Sequence, residues 1–147
     1  MNNKKKKVEV AGVLSLDLSY VKLIRQWIDV PLHGEKVRVR NTIIKAFDPS
    51  YQKLEADRIK ILNDMAEKDK KGNPIMEDGS FKIPEGKHGE FQTKFAMAMS
   101  EKADISISKK EVKMLIDILL NSIMKSFNVA EGAIYDDVIS ALEKYVK

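Results

Sequence analysis

The chain has 147 residues, 44% hydrophobic and 33% charged, with a formal net charge of +4 and no cysteine. A fold of this length buries roughly 70% of the surface of its unfolded chain, enough for one core without staples. The balance excludes a disordered composition, a disulfide framework and a thiolate metal site, and no apolar run reaches the ~20 residues that span a bilayer.

The start, MNNKKKKVEVAG, is basic but has no apolar core of a secretory signal behind it, so a cytoplasmic chain is expected. Residues 1–47 carry ten Lys or Arg against four Asp or Glu, whereas residues 48–147 carry sixteen against eighteen. Behind the basic tail of residues 1–7, residues 8–147 read as a single domain. Val8 and Val10 alternate with Glu9, and Leu14, Leu16 and Leu18 alternate with Ser15 and Asp17, which is the pattern of a half-buried strand. A helix follows from Asp17 or Ser19 to Asp29, with Val21, Ile24 and Ile28 on one face and Trp27 close by. Pro31 and Gly34 break it.

From Glu35 to Phe47 the stripe Val39, Ile43, Phe47 predicts a second helix. Asp48-Pro49 then reads either as an N-cap with Pro at the first helical position, opening a third helix, or as a kink in the second. This segment is expected to reach about Asp69, with Leu54, Ile61, Leu62 and Met65 inward and Arg58 and Lys60 toward solvent. The stretch EKDKKGNPIMEDGSFKI, Glu67–Ile83, lacks the ligand spacing of a calcium loop. Counted from Asp69, the third, fifth and sixth positions are Lys71, Asn73 and Pro74. It does contain a helix stop at Gly72 or Asn73, and Asp78-Gly79 as the two-residue turn of a hairpin around residues 73–84.

Glu90–Glu101 reads as a helix with Phe91, Phe95 and Met99 on one face, and Ala103–Ser108 as a short strand. Ser108 and Glu111 form a capping box for a helix to about Phe127 that is apolar nearly all round. Such a helix belongs in a core or in an interface. The last helix is expected over Ala133–Lys147, with the stripe Ile134, Val138, Ala141, Leu142, Tyr145 and with Asp136 and Asp137 in its first turn. The fold class is α+β: a mostly helical single domain with a small antiparallel sheet or β-hairpin.

Chemistry is sparse. His33 and His88 stand alone in Gly-containing loops, and no zinc, P-loop, dinucleotide or serine-hydrolase motif occurs. No catalytic, cofactor-binding or metal-binding residue is assigned, and the chain reads as a non-enzyme. Two binding surfaces remain. Met114, Ile118 and Met124 on the apolar helix are expected to stay exposed and to be covered by a protein partner or a second copy. Lys4, Lys5, Lys6 and Lys7, with Arg25, Arg38 and Arg40, form the alternative, a nucleic-acid-binding surface. On a helix, Lys36 and Arg40 share a face, while Arg38 is offset by about 160°.

The order of these pieces resembles a family of small bacteriophage and prophage proteins of unknown function from Gram-positive hosts. The resemblance rests on Leu32 and Gly34, then Arg38 and Arg40, the charged helix Leu54–Lys68, and Lys68, Asp69 and Gly72 at the hairpin. The strands Ser80–Ile83 and Ile105/Ile107, the latter ahead of the Lys109 helix, complete it. It spans about residues 13–127. The Lys4–Lys7 tail and Pro49 depart from the family pattern. The resemblance implies a phage origin and brings no catalytic residues.

Overall fold

The computed structural model describes residues 12–123 and 125–147. The expected α+β class is found, as five helices and two small antiparallel sheets among these residues. Strand β1, Gly12–Asp17, leads directly into α1, Leu18–Trp27, so Leu18 opens the helix rather than closing the strand. Helix α1 buries Leu18, Val21, Ile24 and Trp27, one residue per turn.

Helix α2 runs unbroken over Glu35–Met65, 31 residues or about 46 Å, and passes through Pro49. Neither a third helix nor an Asp48 cap forms there, and Asp48 instead accepts a hydrogen bond from Arg25. The reason is packing. Ile43, Phe47, Ser50 and Leu54 are all buried and follow one another at helical spacing across the proline. The exposed Pro49 ring costs one ladder bond on the outer side.

Strands β2, Met76–Glu77, and β3, Ser80–Phe81, form the expected hairpin. Asp78 (φ 51°) and Gly79 (φ 79°) both take the left-handed conformation its tight turn requires. Asp69 is tied into the same loop: its carboxylate accepts the backbone N–H groups of Lys71 and Asn73. The acid there shapes the turn.

Helix α3, His88–Met99, precedes β4, Lys102–Ile107, which pairs with β1 so that Gly12, Leu14 and Leu16 face Ile107, Ile105 and Ala103. These side chains point inward, with Leu14, Leu16, Ile105 and Ile107 nearly inaccessible. The capping box is present: Ser108 accepts the Glu111 N–H and the Glu111 carboxylate accepts the Ser108 N–H, opening α4, Lys109–Asn121. Helix α4 ends well short of Phe127. The loop after it brings the Phe127 ring against Trp27 and Tyr135, at 5.6 and 4.9 Å between centroids. Helix α5, Val129–Val146, starts ahead of the expected Ala133 because Asn128 and Glu131 form a second capping box. That start places Asp136 and Asp137 beyond the first turn, and it buries Val138, Ile139 and Leu142 while leaving Ile134 exposed. One core, with Phe47, Leu115, Ile118 and Val138 deep within it, joins the β1–β4 sheet to α1, α2, α4 and α5.

Candidate functional site

Helices α2 and α4 pack against each other, and where they diverge they leave two adjoining cavities of about 480 and 320 Å³. Glu35, Val39 and Met114 line both, so they form one groove. Val39 and Met114 are half-buried and make its apolar floor. Arg38, Thr42 and Lys110 border the larger part, next to the capped start of α4 at Ser108. Lys36, Lys113 and Asp117 border the smaller one. The walls are partly braced. The Lys36 ammonium donates to Ser122 Oγ at 2.7 Å and lies 3.8 Å from the Asp117 carboxylate, which also accepts from Asn121. The Arg38 guanidinium and the Lys113 ammonium have no ion-pair partner among the described residues.

The expected site residues separate. Met114 lies in the groove. Ile118 does not stay exposed: at 1% accessibility it belongs to the core and meets the groove only from beneath. Its face of α4, shared with Leu115 and Leu119, is turned toward the other elements, so α4 is amphipathic and not apolar all round. Met124 and Lys4, Lys5, Lys6 and Lys7 lie outside the described residues.

The three arginines do not make one surface. Arg25 donates to the Asp48 carboxylate at 2.8 Å and stacks over the Tyr51 ring, 4.4 Å from its centroid. Arg40 reaches back from α2 and donates to the carbonyls of Ile28 and Val30, satisfying backbone groups just past the end of α1. Only Arg38 projects to solvent, on the rim of the groove.

No protein-family model, curated protein or solved structure matches this chain.

The groove thus combines one residue from each sequence reading, Met114 and Arg38, with Val39, which the helical stripe assigned to the core. It has an apolar floor between charged walls. Among the described residues no group of three or more acids or histidines is placed to hold a metal ion, and no helix is long and apolar enough to cross a membrane. Burial raises the Tyr135 and Tyr145 phenols above their ordinary 10.0. Both donate to backbone carbonyls, of Leu119 and Ile107 respectively, and stand apart from the groove lining.

Proposed function

We propose that the protein is a non-enzymatic phage accessory factor that works by binding another protein, and that the α2/α4 groove receives that partner. The observation that carries this reading is the Val39–Met114 floor, left half-exposed by the protein's own elements and bordered by Arg38 and Lys113, which have no ion-pair partner among the described residues. An apolar strip with a polar rim is what a partner helix or extended segment covers with most gain, since burial drives association and the rim fixes orientation. The phage assignment is supported by the sequence resemblance alone, and several of its residues have architectural roles here: Arg40 closes the α1–α2 connection and Asp69 shapes the hairpin loop.

Site-specific photo-crosslinking in the host tests the reading. A benzophenone side chain in place of Thr42, on the groove wall, is expected to give a discrete adduct. The same group in place of Gln92, on the exposed face of α3, is expected to give none. Met114→Glu, which puts a charge on the floor, should abolish the adduct while the far-ultraviolet spectrum stays native. Equal adducts at both positions, or an adduct indifferent to Met114→Glu, would remove the groove from the interaction.

A further inference from the structure

Among the described residues the β1–β4 sheet has two strands, and no strand pairs with the other edge of β1. The Leu18 N–H donates to the Glu101 carbonyl at 2.9 Å, which sets the phase of the antiparallel ladder. Gly12, Leu14 and Leu16 therefore exchange bonds with Ile107, Ile105 and Ala103, while the N–H and C=O groups of Val13, Ser15 and Asp17 point away from β4. The main neighbours of β1 among the described elements are β4 and the adjoining α1, and Tyr145 of α5 reaches its first residue, Gly12. Val13 is 63% exposed and Ser15 is exposed.

Proteins usually blunt such an edge with lysine, proline, a bulge or a covering element. The two strands differ in this respect. β4 presents Lys102 and Asp104 on its outward positions and has α2 packed against it. β1 has no proline and no lysine, and its single charge, Asp17, is held by Lys102 at 2.8 Å.

We infer that β1 pairs antiparallel with β1 of a second copy, about a two-fold axis at Ser15. In that register Ser15 of one copy lies opposite Ser15 of the other, and Val13 lies opposite Asp17. These are the three residues whose backbone groups are turned outward, so each pair exchanges two hydrogen bonds. Leu14 falls beside Leu16 of the other copy on the inner face, and the result is a continuous sheet of order β4-β1-β1-β4. The occupant is a second copy because the edge is self-complementary: it carries no charge at its centre, and the Asp17 carboxylates are already neutralised from within. A single strand pair covers much less than the ~1,600 Å² of a standard interface, so the dimer is weak and concentration-dependent. This surface is independent of the α2/α4 groove.

The test uses the full chain. Sedimentation from micromolar to millimolar concentration should show a monomer–dimer equilibrium, and the Val13, Ser15 and Asp17 amides should gain exchange protection in step with the dimer. Ser15→Lys sets like charges face to face across the axis, and so does Ser15→Glu. Each variant alone should stay monomeric, and mixing the two should restore a dimer. Ser15 stands opposite Asp104 on β4, so Ser15→Glu adds a like charge beside Asp104 and Ser15→Lys an opposite one. The near-ultraviolet signal of buried Trp27 reports whether each variant is folded. A strict monomer at millimolar concentration overturns the proposal. So does a dimer that survives in both single variants, or edge-amide protection that is independent of concentration.

Discussion

Gly12 and Tyr145 meet where the sheet ends. The Tyr145 hydroxyl donates to the Ile107 carbonyl at 2.6 Å, and a Cβ added to Gly12 would lie 2.3 Å from the Tyr145 hydroxyl oxygen. The glycine is therefore required by a close approach, and Gly12→Ala displaces the phenol and its hydrogen bond. Gly12→Ala and Tyr145→Phe should each cost roughly 0.5–1.5 kcal/mol in urea unfolding, the net worth of one such bond. Because both remove the same bond, the double variant should cost clearly less than the two together, and full additivity in that cycle would contradict the contact. The same phenols set a pH limit. Tyr135 and Tyr145 hold their protons more tightly folded than unfolded, both because of burial. Their contribution is complete below 10.0 and is lost as pH rises through the raised folded values. Stability should fall on that alkaline side, and the fall should be shallower in Tyr135→Phe/Tyr145→Phe. An identical pH profile in that variant would refute the assignment.

At the scale of elements, Pro49 separates local grammar from packing. Asp-Pro reads locally as a helix start, yet the buried face of Ile43, Phe47, Ser50 and Leu54 runs across it in register. The proline sits on the exposed side, where it forfeits the bond to the Lys45 carbonyl. Pro49→Ala should then stabilise the protein, by up to ~3 kcal/mol on helix propensity, read as a higher urea midpoint with unchanged slope. Destabilisation would mean that the ring is packed or that α2 depends on a bend. Other elements were legible because their signals are local: the Ser108–Glu111 box, the Asp78-Gly79 turn and the alternation of β1. The box at Asn128–Glu131 has the same grammar, and it was concealed by the expectation that α4 extends to Phe127. The pairing of β1 with β4 was not legible, since no local feature specifies a partner strand so distant in sequence. The groove was half legible for the same reason. Met114 and Arg38 stand out singly, but that α2 and α4 meet at Val39 is a long-range fact, and the burial of Ile118 follows from it.

For the molecule as a whole, the net charge of +4 is a weaker argument for nucleic acid than the sequence suggests. Phosphate binding needs cations free to release counterions. Of the four arginines, Arg25 is paired with Asp48, Arg58 with Glu55, and Arg40 is committed to two carbonyls. Arg38 is the one that faces solvent, and it shares its rim with Glu35. Affinity for duplex DNA, if measured at two or more salt concentrations, separates these groups. A phosphate-contacting arginine, when removed, lowers the slope of log affinity against log salt by about 1. Arg25→Ala is expected to leave the slope unchanged, because its charge is already paired with Asp48. Arg38→Ala serves as the comparison, as the solvent-facing arginine of the set. A slope reduced by Arg25→Ala would show that the Asp48 pair opens to admit a phosphate, and the basic first third would then regain its claim as a nucleic-acid surface. An unchanged slope in both variants would leave the groove, with its apolar floor, as the better place to seek the partner.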